Sequence, residues 1–168
     1  EQKLIKGSDI FIASIERIAR EVSVSGLLTG PARGYVKNEL DRRGIPYVHT
    51  YLKEQAHLVD CYHALDLYLV TSREEGGPKG IIESMASGVP VVSTPVGMAL
   101  DFIQNGITGG LVCSESPDEV ADKVLEIINS DNLTNLKTRA REEVAAADCS
   151  VVGREHWLKV YQPALTRY

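Results

Sequence analysis

The sequence is poor in the residues that announce specialised classes. Its 168 residues hold three cysteines, one tryptophan, two phenylalanines and two methionines. Cys61, Cys113 and Cys149 are odd in number and scattered, with no CxxC spacing, which argues against a disulfide framework and a structural zinc site. No apolar run approaches the roughly 18 residues of a membrane span. A basic excess is missing too: 18 Lys and Arg face 23 Asp and Glu, net −5, so no electropositive surface points to a nucleic-acid partner. Asp-x-Asp occurs nowhere, which leaves a metal-bridged diphosphate without an obvious ligand, and His49, His57, His63 and His156 lack metal-ligand spacing. The histidines read as surface or packed residues. Glu1 opens a polar stretch without the charged-then-apolar pattern of an export signal, and with the cysteine usage this predicts a cytoplasmic setting.

What remains is the composition of an ordinary globular chain, 43% apolar and 24% charged, long enough for one well-buried domain. Helical and strand patterns alternate along it. Phe11, Ile15, Ile18 and Val22 form one helical stripe, and Gly26–Thr29 reads as a short buried strand closed by Gly30-Pro31. A charged helix with Val36 and Leu40 inward precedes a strand at Tyr47-Val48-His49. Leu58, Tyr62 and Leu65 mark another helix, and Leu67–Val70 a continuous apolar strand. Pro78–Ser87 predicts a helix with proline in its first turn and Gly88 just past its end. Val91-Val92-Ser93 and Leu111-Val112-Cys113 add strands, and Ser116-Pro117-Asp118-Glu119 reads as a capping box opening a helix with Val120, Val124, Ile127 and Ile128 inward. Two more helices are expected, about Leu133 to Ala147 and Val151 to Tyr161, with Trp157 and Tyr161 packing the last. Strict alternation of strand and helix predicts an α/β fold, a Rossmann-like, doubly wound parallel sheet. Such a fold normally begins on a strand, yet only Leu4-Ile5 precede the first helix, so a chain cut from something larger at its N-terminal side is expected, with the missing strand supplied by preceding residues or by self-association.

The chemically informative segment is Ser72–Glu83, placed at the carboxyl end of the Leu67–Val70 strand, where ligands bind in open α/β sheets. Gly76 and Gly77 allow close backbone approach, Pro78 pre-sets the helical turn, and the free N–H groups of that turn make an anion site to which Lys79 adds charge. Glu83 lies about five residues into the helix, roughly 7 Å along the axis, where a carboxylate can accept hydrogen bonds from a ribose diol. Glu75, before the helix, faces the other side of the phosphates. Phosphates in the middle, ribose on one side and a polar group on the other describe a nucleotide sugar. Two glutamates flanking a helix start also fit a dipole-compensating first turn with a solvated face, and spacing alone does not separate the readings.

Glu75-x7-Glu83, followed by Ser84-Met85-Ala86-Ser87-Gly88-Val89-Pro90-Val91-Val92, resembles the signature of glycosyltransferase family 4. Lys6-Gly7, Leu27–Pro31, Ala64–Tyr68 and Gly106–Val112 resemble further segments of that family in the same order. The resemblance spans about Lys6 to Tyr161. It implies one half of a GT-B fold, with residues 1–168 as a single C-terminal, donor-binding domain, 151–168 as its C-terminal helix, and an N-terminal acceptor domain absent. The implied function is that of a retaining, metal-independent hexosyltransferase taking a UDP-, GDP- or ADP-sugar to a glycan, lipid or small-molecule acceptor, this piece alone being inactive. Carried over by residue, Lys6 contacts the donor diphosphate, Gly76, Gly77, Pro78 and Lys79 line phosphates and sugar, Glu75 is the catalytic-site carboxylate on the transferred sugar, and Glu83 binds the ribose. Tyr51 and Leu52 fall in the base-contacting loop. Gly77-Pro78 stands where the family often has Phe-Gly, and the family's arginine partner of Lys6 would precede residue 1. A cytoplasmic enzyme is implied, with peripheral attachment at the inner membrane face and homo-oligomerisation left open. A GT-B sugar-nucleotide epimerase and a non-catalytic nucleotide-binding module are the alternative readings.

Overall fold

The computed structural model describes residues 4–165 except 32, 53 and 55. A 3-10 turn at Leu4–Lys6 leads through Gly7 into α1 (Ser8–Ile18). There follow β1 (Gly26–Thr29), α2 (Gly34–Arg43), β2 (Tyr47–Thr50), α3 (Ala56–His63), β3 (Tyr68–Val70), α4 (Lys79–Ala86), β4 (Val91–Ser93) and α5 (Ala99–Phe102). The chain then runs through β5 (Gly109–Leu111), α6 (Pro117–Ile128) and α7 (Leu133–Val144) to a C-terminal helical stretch, α8 (Cys149–His156), a π-helical turn at Trp157–Tyr161 and α9 (Gln162–Leu165).

All strand pairs are parallel, as the alternation predicts. The sheet, however, is divided: β1 pairs with β2, and β3, β4 and β5 form a second ladder in that order. Among the described residues β1, β2, β3 and β5 each pair on one side only. α1 spans both ladders, with Ile12 and Ile15 packing with Leu28 of β1 while Ile10 and Ile18 join Val92 of β4. Side chains of successive strand residues point to opposite faces, so Val92 meets α1 and α6 on one side while Val91 meets α4 and α5 on the other. Helices therefore cover both faces, the doubly wound arrangement expected.

Several local expectations shift. The α1 stripe stops at Ile18, short of Val22, and its buried face is wider than the stripe, taking in Ile10, Ile12 and Ser14. Pro78 is the residue capping α4 rather than part of its first turn. Gly88 does lie just past the end, at φ 74°, and the Gly88 and Val89 amides donate back to Met85 and Ser84, a Schellman motif. β5 sits two residues earlier than Leu111–Cys113, because Gly109 and Gly110 carry the pairing with Val91 and Val92. A Cβ at Gly109 would stand 2.5 Å from the Val91 carbonyl oxygen, so this approach needs the missing side chain. The capping box is half formed: Ser116 accepts from the Glu119 amide at 3.4 Å, but the Glu119 carboxylate turns to the Cys113 and Ser114 amides at 2.6 and 3.0 Å. Cys61 and Cys113 carry free thiols, and the Cys149 side chain lies outside the described ones. The last helix begins at Cys149, and residues 166–168 of the expected segment lie outside the described residues. Trp157 and Tyr161 do not pack it down; they are 52% and 57% exposed, and every described side chain from Ser150 to Leu165 is exposed.

Candidate functional site

The site grows from the carboxyl end of β3. Thr71 and Ser72 continue the strand into the interior, both 6% exposed, and Thr94 after β4 donates to the Ser72 carbonyl at 2.5 Å. The loop then turns outward through Glu75 and Gly76 before α4 begins at Lys79. Its outer wall is the turn at Gly97-Met98. Gly97 has φ 44°, and a Cβ there would lie 2.6 Å from the Glu75 carbonyl, while one at Gly77 would touch the Met98 tip at 2.9 Å. Gly76 differs, since a Cβ there would meet nothing within 4 Å. Gly76 thus faces open space, and Gly77 faces the protein.

The N-terminal turn is delivered to this loop by a glycine. Gly7 adopts φ 60° and a Cβ on it would overlap the Thr71 carbonyl; the Thr71 hydroxyl donates to the Gly7 carbonyl at 3.0 Å. Lys6, one residue before, consequently reaches Glu75 from 69 positions away and forms an ion pair with it. Ser72 Oγ donates to the same Glu75 oxygen at 3.3 Å. Two residues singled out separately in the sequence are thus joined in one contact.

Arg73 locks this arrangement, and no sequence signal marked it. Its guanidinium grips both oxygens of Asp9 at 2.7 and 2.8 Å, donates to Glu115 at 2.7 Å and to the Leu4 carbonyl at 2.5 Å, while its amide donates to the Ile5 carbonyl at 2.9 Å. Loop and N-terminal turn are therefore one unit. The Arg73 hydrogen bonds hold the Asp9 carboxyl below its ordinary value of 3.8. A carboxylate lowered in the folded state contributes stability above its unfolded value, and that contribution is lost as pH falls through the folded value. Below about pH 4, wild-type stability should fall more steeply than that of Asp9→Asn, as read by urea unfolding at stepped pH. Parallel curves for the two proteins would contradict the clamp.

Glu83, the fifth residue of α4, is half-buried. Its Oε2 accepts a hydrogen bond from the Tyr62 hydroxyl of α3 at 2.8 Å. Tyr62 meets Tyr68 of β3 edge-on, ring centroids 5.7 Å apart. Tyr68 runs beneath the first turn of α4, where a Cβ at Gly80 would come to 2.5 Å from its hydroxyl. Burial pushes the Tyr68 phenol up, with the Glu83 and Glu75 carboxylates adding to the shift and Arg33 opposing it. The hydrogen bonds and ion pairs described for this cluster do not reach Lys79, Tyr51 or Leu52. Lys79 is exposed on the first turn of α4, and Tyr51 is 66% exposed after β2. Sequence patterns missed Tyr62 and Arg73, because apolar periodicity records where a ring sits and says nothing of what its hydroxyl binds.

A carboxylate, a lysine, an open glycine and the Lys79 and Gly80 amides at the start of α4, ahead of the Ile81 amide that donates to the Pro78 carbonyl, can together hold an anion bearing hydroxyl groups. Comparison with known proteins bears on the fold and the family. The lipopolysaccharide core biosynthesis mannosyltransferase LpsB of Rhizobium meliloti is 29% identical over 127 residues, covering 70% of this chain and 36% of its own length. The solved C-terminal domain of a glycosyl transferase group 1 family protein, LpcC of Francisella tularensis, superposes with TM-score 0.74 at 20% identity, over 86% of this chain and 80% of that one. Anabaena Alr3699/HepE, solved in complex with UDP-glucose, superposes with TM-score 0.76 at 21% identity, over 100% of this chain and 47% of that one. The fold is thus the α/β architecture of GT-B glycosyltransferases, and the chain spans about a third of its curated relative LpsB. The profile of the glycosyl transferases group 1 family matches residues 2–130, most of the chain, and the chain belongs to that family.

Proposed function

We propose that this chain is the C-terminal, donor-binding domain of a retaining glycosyltransferase of family 4 type, and that it holds a nucleoside diphosphate sugar against the Ser72–Pro78 loop and α4. The observation that carries the reading is the meeting of Lys6 and Glu75, 69 positions apart, at the carboxyl end of β3 beside the start of α4. Lys6, Lys79 and the first α4 amides take the diphosphate, Glu75 takes hydroxyls of the transferred sugar, and Glu83 takes the ribose. Gly76 supports the assignment because a Cβ there would meet none of the described residues beyond its chain neighbours within 4 Å. Tyr51 and Leu52 are assigned to the base. The division of the described strands into two parallel ladders suits a domain whose sheet is joined by a further strand.

The chemistry follows from where charge develops. As the bond from the anomeric carbon to the diphosphate oxygen breaks, the electron pair leaves with the diphosphate and positive charge grows on the sugar. Lys6, Lys79 and the α4 amides meet the first charge, and the Glu75 carboxylate lies on the side of the second. Without donor, Lys6 is neutralised by Glu75, so donor binding exchanges the carboxylate for the diphosphate as the partner of Lys6 and frees Glu75 for the sugar. The acceptor and its base belong to another domain of the full-length enzyme, so this chain alone binds donor without transferring sugar. A thermal-shift series with UDP, GDP, ADP and their sugars tests the reading, since a ligand of the folded state stabilises it by mass action. Stabilisation by one nucleotide series is expected. No response to any of the three would overturn the proposal.

A further inference from the structure

We propose that Tyr62 is a positioning residue that holds the Glu83 carboxylate in register for a nucleotide ribose. The inference rests on the reading of Glu83 as the ribose-binding residue. Tyr62 is 6% exposed, and its hydroxyl donates to Glu83 Oε2 at 2.8 Å. Among the described residues no hydrogen bond reaches Oε1, so one oxygen is committed to the protein and the other is available to a diol. A glutamate side chain on a helix surface has three rotatable bonds, and a single anchored oxygen removes most of that freedom before ligand arrives.

The anchor itself is rigid. Tyr62 packs edge-on against Tyr68, whose ring is trapped beneath Gly80 at the start of α4. The carboxylate on α4 is therefore gauged by a ring from α3, and that ring by the first residue of β3, the strand that leads into the Ser72–Pro78 loop. Burial pushes the Tyr62 phenol well above its ordinary value, so it remains a donor throughout the neutral range. This arrangement also explains why a polar hydroxyl is kept at a core position of α3: its partner is the group whose orientation matters.

The test is calorimetry on wild type, Tyr62→Phe, Glu83→Ala and the double variant, with UDP, GDP and ADP and the 2′,3′-dideoxy form of each. Tyr62→Phe keeps the ring, and thermal unfolding checks that the fold is retained. Tyr62→Phe should weaken the bound ribonucleotide about three- to tenfold, leave its dideoxy form unchanged, and add nothing once Glu83 is alanine. If Glu83→Ala weakens the ribonucleotide but Tyr62→Phe does not, or weakens the dideoxy form equally, the positioning role is overturned while the Glu83 assignment stands. If Glu83→Ala leaves the ribonucleotide unaffected, the ribose reading fails and the role of Tyr62 falls with it. A core-packing role alone would move the unfolding temperature and both nucleotide forms together.

Discussion

Replacing Gly7 by alanine should cost about 3 kcal/mol or more of stability, a drop of roughly 6–12 °C in Tm for a chain of this size. Two independent penalties add at this position. Its φ of 60° is a left-handed conformation that costs an L side chain about 1–2 kcal/mol. The new Cβ would also overlap the Thr71 carbonyl, which cannot retreat without breaking the Thr71 hydroxyl bond to the Gly7 carbonyl and the end of β3. Relief of the clash would swing the Leu4–Lys6 turn away from the loop, so nucleotide binding should weaken along with stability. Gly76→Ala is the internal control: its φ is not in the left-handed region and its Cβ meets nothing, so its Tm should stay within about 1 °C of wild type. Paired thermal melts decide the matter. A Gly7→Ala protein as stable as Gly76→Ala would mean that the N-terminal turn is not pinned against β3.

The contrast between those two glycines shows what was legible in the sequence. Glycine-rich spacing after an apolar strand located the loop, and the apolar runs located β1 at Gly26–Thr29 and β4 at Val91–Ser93 as read. β5 was misplaced for a physical reason: it pairs through Gly109 and Gly110, and a strand that needs bare backbone has no apolar signal to display. Trp157 and Tyr161 misled because apolar spacing implies a buried face only where something covers it, and here the described chain does not. Glu119 satisfied the pattern of a capping box yet turned to the Cys113 and Ser114 amides, since a flexible carboxylate takes the nearest free donors. Within the site, Lys6, Glu75 and Glu83 were found one by one. Their partners were not, because the Lys6–Glu75, Arg73–Asp9 and Tyr62–Glu83 contacts join segments 69, 64 and 21 positions apart, and pairing at such distances is a property of topology.

The two glutamates should separate cleanly by ligand. Glu83 is assigned to the ribose, present in donor and product nucleotide alike, so Glu83→Ala should weaken both by about 1.5–3 kcal/mol, the range for hydrogen bonds to a charged group. Glu75 is assigned to the sugar, present only in the donor, and the structure sharpens what its removal does to the free nucleotide. With Glu75 intact, a diphosphate must first displace its carboxylate from Lys6, which is itself 51% exposed. Exposed ion pairs are worth about 0.2–1 kcal/mol, so Glu75→Ala should leave nucleoside diphosphate affinity unchanged or raise it by up to roughly fivefold. In the full-length enzyme the same substitution should lower transfer by about 100-fold or more, because the lost carboxylate both orients the reacting sugar and faces its developing positive charge. Calorimetry on each variant with nucleotide and with nucleotide sugar, followed by initial rates of transfer, measures every arm. Equal weakening of free nucleotide by both substitutions would show that the roles are misassigned. Unchanged binding in both would leave Glu75 and Glu83 as ordinary acidic residues at a helix start, with the Lys6 pair a surface salt bridge and no more.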